Sequence, residues 1–217
     1  QPKAQEACTD ISEPAGLPQQ ISLWLVPPDC SAMPPNAHSS RMSLVEVSSK
    51  LARQHKLPGS MEPHITIIGD VGLHAEEACS RLKSLKGSGP VACTFERITA
   101  AEKGADGKVP WHQSCVAVVK ATPALLALQR KCRAALLGET PPRNTWAPPL
   151  SVPHLSLAYA ANNELCNVNF GASPAPPPFV ATTLVLYATS DPEISGGSDP
   201  YQSYVGGKWM EVGRVEL

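Results

Sequence analysis

Pro63-His64-Ile65-Thr66-Ile67-Ile68-Gly69 and Pro153-His154-Leu155-Ser156-Leu157-Ala158-Tyr159 are two copies of one pattern, 90 residues apart. Each runs proline, histidine, then alternating apolar and hydroxyl positions. Alternation with period two marks a strand with one face in the core. Side chains at i and i+2 share a face, so His64 sits beside Thr66 and His154 beside Ser156. Ile65, Ile67, Leu155 and Leu157 turn the other way. Each strand therefore shows one imidazole and one hydroxyl on an apolar scaffold.

The segments leading into the two strands echo each other too. Ile21 to Val26 is an apolar run stopped by Pro27-Pro28 and reads as a buried strand. Ser40 to Lys56 carries Leu44, Val47 and Leu51 at helical spacing and ends at Pro58-Gly59. Ser114 to Lys120 again reads as a strand. Thr122 then makes a good N-cap, with Pro123 at the first position of a helix bearing Leu125, Leu128, Cys132 and Leu136. The Pro-rich loop 141–149 leads to His154. Strand, helix, Pro-bearing loop and Pro-His strand occur over 21–68 and again over 114–159, which points to two duplicated α+β lobes. A further helix is expected near 74–86. Strands are expected at 91–98, 179–188 and 209–215, the first of them pairing with the 114–120 strand. Residues 1–19 read as a flexible N-terminal arm and residues 20–217 as a single bilobal catalytic domain.

Composition narrows the function. The 217 residues carry 18 Lys and Arg against 19 Asp and Glu, a net charge of −1. That balance argues against gripping long nucleic acid through many phosphates. No apolar run exceeds five residues, so no spanning helix is expected. The 23 prolines are about twice the usual share and gather in loops. The seven cysteines (Cys8, Cys30, Cys79, Cys93, Cys115, Cys132 and Cys166) show no CxxC spacing and suit a mostly reduced chain. No signal-peptide pattern is visible. A cytoplasmic monomer is the expectation, with a removed transit peptide as the open alternative.

Two imidazoles and two hydroxyls around one space suit phosphodiester hydrolysis without a metal. One neutral imidazole takes a proton from water; the other, protonated, gives one to the leaving oxygen. Histidine serves because both of its forms coexist near neutrality. The hydroxyls of Thr66 and Ser156 can donate to the phosphate oxygens as charge builds there. This requires the imidazoles to converge and to be reached by solvent. Histidine with a hydroxyl two places on also occurs at His38 with Ser40 and at His112 with Ser114. Only His64 and His154 stand in the full Pro-His-apolar-hydroxyl-apolar frame.

That matched frame resembles the two-histidine (2H) phosphoesterases, and within them the cyclic phosphodiesterases of plants and fungi. Ser22-Leu23-Trp24-Leu25-Val26-Pro27 and the two Pro-His stretches carry the likeness, which spans roughly residues 20–217. It implies a bilobal α+β fold: two antiparallel sheets related by a pseudo-twofold axis around a central cleft, with helices outside. It implies His64, Thr66, His154 and Ser156 as the catalytic tetrad, and no cofactor or metal. It implies hydrolysis of ADP-ribose 1″,2″-cyclic phosphate to ADP-ribose 1″-phosphate and of nucleoside 2′,3′-cyclic phosphates to 2′-phosphates, the former a late step of tRNA-splicing metabolism. A small nucleotide carrying a cyclic phosphate is then the partner, with no long nucleic acid and no membrane. Tyr159 matches a substrate-contacting tyrosine of the plant-like members. It lies five residues after His154, so the strand must end or bulge before it. Trp24 is the second substrate-contacting candidate, by stacking on a base or ribose, with core packing as the alternative.

Three other readings stand beside this one. A 2′–5′ RNA ligase-like or 3′-end-trimming enzyme of the same superfamily would favour a more basic cleft. A catalytically inactive nucleotide-binding module would not need all four tetrad side chains. A metalloenzyme needs three or four converging ligands, which neither motif supplies.

Overall fold

The structure is a computed structural model. It describes residues 20–28, 40–55, 63–100, 113–143, 145–146, 152–159, 175–189 and 209–217, apart from the side chains at 40–43, 55, 113–114 and 159. The N-terminal arm, His38 and His112 lie outside the described residues, as do Cys8, Cys30 and Cys166.

Nine strands and three α-helices make up the described chain, in the order β1 (Ile21–Val26), α1 (Ser40–His55), β2 (Ile65–Ile68), α2 (Ala75–Leu82), β3 (Val91–Cys93), β4 (Phe95–Ala100), β5 (Gln113–Val119), α3 (Pro123–Leu137), β6 (His154–Tyr159), β7 (Phe179–Ala181), β8 (Thr183–Ala188) and β9 (Met210–Glu216). A 3-10 turn over Lys83–Leu85 extends α2. α3 starts as its sequence dictates: Thr122 Oγ1 accepts from the Leu125 N–H at 3.2 Å and Pro123 takes the first turn. It ends at Gly138, whose φ of +69° is the left-handed conformation glycine adopts freely. Among the described residues, no helix is long and apolar enough to cross a membrane.

All strand pairs are antiparallel. The large sheet runs β4-β5-β6-β2-β1-β8-β9, and β3 pairs with β7 in a small one. The order is palindromic about the joint between β6 and β2. Three strands to one side, β6-β5-β4, match β2-β1-β8 on the other, and β9 is added at the edge. The unit β5-α3-β6 repeats β1-α1-β2, as the sequence echo predicts. Likewise β3-β4 repeats β7-β8. The two lobes meet where Ile65 pairs with Leu155, the middle of each motif.

Two expected strands prove to be broken. The 91–98 segment divides at Thr94 and the 179–188 segment at Thr182. In each, the first half joins the small sheet and the second half the large one. The carbonyl at each break is bonded from outside the strand: Lys120 N–H donates to Thr94 O at 2.8 Å, and Leu217 N–H to Thr182 O at 2.7 Å. A strand that changes sheets keeps its alternating pattern, so periodicity alone reads it as continuous.

One face of the large sheet is the core. Leu23, Leu25, Ile65, Ile67, Leu155, Leu157, Leu184 and Leu186 pack there with Leu44, Leu82, Leu125 and Leu136 from the helices. Two buried side chains cross that layer. Ser48 of α1 donates to the carbonyl of Leu157 at 2.7 Å, and Gln129 of α3 donates to that of Ile67 at 3.3 Å. Ile67 and Leu157 hold the same place in the two motifs, three residues after the histidine. Each lobe's helix thus secures the other lobe's motif strand. Ser48→Ala and Gln129→Leu should each strand a buried carbonyl and cost about 1–3 kcal/mol. Urea unfolding measures this, with the exposed Lys131→Ala as a control expected within about 0.5 kcal/mol of wild type.

Candidate active site

The pairing of Ile65 with Leu155 fixes the geometry of the tetrad. One step either way along an antiparallel register sets His64 against Ser156 and Thr66 against His154. Directly opposed residues share a face, with Cβ atoms about 4.5–5.5 Å apart. The four side chains therefore form a square on the face away from the helices, imidazole and hydroxyl alternating around it. Each imidazole has its own motif's hydroxyl along the strand and the other motif's hydroxyl across it. The motif strands lie side by side at the joint, so the tetrad is closer knit than two lobes facing across a gap would make it.

Trp24 enters the same face, because β1 sets it opposite Thr66. Its indole lies flat on His64, with ring centroids 3.6 Å apart and planes 10° apart. Tyr187 of β8 stacks on it at 4.1 Å and 20°, and Trp209 meets it edge-on at 5.5 Å. His64 and Tyr187 come from the strands flanking β1, so the indole is held from both sides. Only 2% of Trp24 is exposed. In this arrangement it offers no open face to a base or ribose.

His154 is held differently. Its Nδ1 lies 3.3 Å from the carbonyl of Val152. A carbonyl only accepts, so Nδ1 carries the proton and Nε2 bears the lone pair. That Nε2 is buried and, among the described residues, has no hydrogen-bond partner. Burial pushes the His154 pKa from 6.5 down to about 4, opposed in part by the bond to Val152. At neutral pH the ring is a neutral imidazole with a free acceptor, the form a general base requires.

Both imidazoles are shut away in this conformation: His64 is 1% exposed, His154 5% and Ser156 2%. The sequence reading asks for solvent at both rings, and here it is corrected. The sheet face that bears the tetrad is covered. Thr66 is half-buried. The side chain of Tyr159 lies outside the described residues. The backbone before it does slip register against β5, where Cys115 pairs with Ala158 but Val116 with Ser156. A second shift restores the register where Gln113 pairs with Tyr159. Among the described residues, no group of three His, Cys, Asp or Glu could hold a metal ion. Cys79, Cys93, Cys115 and Cys132 are free, and burial pushes the last three up to about 12, leaving them unreactive.

Reading the sequence alone misses Tyr187, Trp209, Ser48, Gln129 and the Val152 carbonyl. Tyr187 sits in the apolar run of β8, and only the β1–β8 register, with Ser22 opposite Tyr187, puts it beside Trp24. A tyrosine within that run is the one signal available beforehand.

Because His154 is neutral when folded, it contributes to the pH dependence of stability. Between pH 6.5 and about 4 the unfolded chain binds a proton that the folded chain refuses. Stability is therefore lost as pH falls through that window, by on the order of 3 kcal/mol from this residue. Chemical denaturation at pH 7 and pH 4.5 should show His154→Gln losing less stability on acidification than wild type.

The comparisons with known proteins agree with this architecture. In structure the chain is similar to E. coli LigT complexed with phosphate, at 14% identity and a TM-score of 0.50, covering 92% of this chain and 98% of that one. It is similar to E. coli LigT complexed with 3′-AMP, at 15% identity and 0.50, covering 93% and 99%. A structure described as a phosphoesterase matches at 14% identity and 0.51, covering 92% and 99%. These show a shared fold. No curated protein matches the chain in sequence. The family model for cyclic phosphodiesterase-like proteins matches residues 19–166, which include both Pro-His motifs and Trp24. The chain belongs to the cyclic phosphodiesterase-like family, in the two-histidine phosphoesterase superfamily.

Proposed function

We propose that this chain hydrolyses small cyclic phosphodiesters without a metal, with His154 as general base and His64 as general acid. The single observation behind this is the register that sets His64, Thr66, His154 and Ser156 in one square on one sheet face. Its substrates are ADP-ribose 1″,2″-cyclic phosphate, opened to ADP-ribose 1″-phosphate, and nucleoside 2′,3′-cyclic phosphates, opened to 2′-phosphates. The LigT structures holding phosphate and 3′-AMP support a small nucleotide as ligand of this fold. The net charge of −1 favours a small substrate over a polynucleotide.

The step for a nucleoside substrate balances as follows. Nε2 of His154 takes a proton from a water molecule, whose oxygen forms the new bond to phosphorus. The bond from phosphorus to the 3′ oxygen breaks, and the His64 imidazolium gives that oxygen its proton. The phosphate remains on the 2′ oxygen. Thr66 and Ser156 donate to the non-bridging oxygens, whose negative charge grows as the fifth bond forms. His154 leaves the step protonated and His64 neutral, and solvent exchange resets both. For the ADP-ribose substrate the broken bond is to the 2″ oxygen. Tyr159 is the remaining substrate contact in this reading. Trp24 acts from behind His64.

In excess EDTA, purified protein should convert 2′,3′-cyclic mononucleotides to 2′-phosphates, read by chromatography against both isomers. His64→Ala and His154→Ala should each lower kcat/KM by about 10²- to 10⁴-fold. A 3′-phosphate product would overturn the leaving-group assignment. Binding of RNA oligomers with no turnover of mononucleotides would favour an RNA-end enzyme instead.

A further inference from the structure

His64 and His154 occupy equivalent places about the local twofold at the lobe joint. A symmetric site would leave them interchangeable. The strands flanking the motifs break that symmetry. On β1 the residue opposite Thr66 is Trp24, whereas on β5 the residue opposite Ser156 is Val116. A large aromatic thus faces one motif and a small aliphatic faces the other. Tyr187 and Trp209 extend the aromatic side only. Among the described residues, the aromatic contacts include a ring stacked on His64 and none on His154.

Resting on the reading above, we propose that Trp24, backed by Tyr187 and Trp209, is a positioning residue that holds His64 as the protonated partner of the pair. An indole face carries negative quadrupole density and attracts a cation lying over it. A flat stack at 3.6 Å therefore favours imidazolium over imidazole. The same stack fixes the ring plane, because Trp24 is held between His64 and Tyr187 and cannot turn alone. On the other lobe, His154 has Val116 and Val118 across β5 and a backbone carbonyl at Nδ1. Burial there opposes a second proton more strongly than the Val152 carbonyl favours it.

The other ionisable groups on this sheet face do not account for the division. Among the described residues they are His154 on β6, Tyr187 behind Trp24, Arg97 on β4, and Glu211, Arg214 and Glu216 on β9. Strands lie about 4.8 Å apart, and β4 and β9 each stand three strands from β2. Arg214 is tied to Glu211 at 2.6 Å and Arg97 lies 3.5 Å from Glu96, so each cation is paired with a carboxylate of its own strand.

The test is an NMR pH titration of both imidazoles in wild type and Trp24→Leu, run beside kcat/KM against pH with a 2′,3′-cyclic mononucleotide. Wild-type His64 should titrate at a higher pH than His154. In Trp24→Leu the His64 pKa should fall by about one pH unit, with His154 unmoved, and the alkaline limb of kcat/KM should fall with it. Trp24→Phe, which keeps an aromatic face, should recover part of the shift. A purely structural role would lower the rate at every pH and leave that limb in place, which would overturn the proposal. A wild-type His64 titrating at or below His154 would overturn it as well, whether or not the variants fold. If no cyclic phosphate is turned over yet His64 shifts as stated, the stack's role stands and the hydrolase reading fails.

Discussion

One backbone pairing, Ile65 against Leu155, governs the rest of the molecule. It joins the two lobes into one sheet and sets the tetrad's register. A slip by one residue would send an imidazole to the helix side and a leucine to the site. The helices guard against that slip. Ser48 and Gln129 each bond a carbonyl of the opposite lobe's motif strand, so the register is held by side chains where the ladder between β2 and β6 is short. The apolar residues of each motif do the same work from the core, since both leucines of the second motif and two isoleucines of the first are almost wholly buried.

Packing a polar square between apolar layers is costly unless each group is bonded or used. The Nε2 of His154 is buried and, among the described residues, unbonded. An unsatisfied buried acceptor invites a functional explanation, and the general-base role proposed for His154 is one. The same burial that keeps His154 neutral strips water from the site and strengthens each electrostatic contact inside it. Closure and basicity are thus two results of one environment. Under the proposed function, substrate entry requires that face to open.

Much of this was legible in the sequence because it rests on local pattern. The period-two alternation in 63–69 and 153–159, the helical spacing of Leu44, Val47 and Leu51, and the Thr122-Pro123 start of α3 are all short-range signals. The tetrad was legible because one rare frame occurs twice. What sequence hides is long-range. The breaks at Thr94 and Thr182 follow from strands changing sheets, which alternation does not record. The stack of His64, Trp24, Tyr187 and Trp209 draws on β1, β2, β8 and the entry to β9, and their sheet order is no part of the chain order. The burial of the histidines was missed because a hydroxyl-bearing strand face reads as open to water.

The central claim is that two motifs far apart in sequence make one site. Titration with adenosine 2′-phosphate, followed through the side-chain resonances of both imidazoles, tests it most directly. The account predicts that His64 and His154 shift together along one binding curve with a single Kd. A shift at only one imidazole, or two curves with different Kd values, would contradict it.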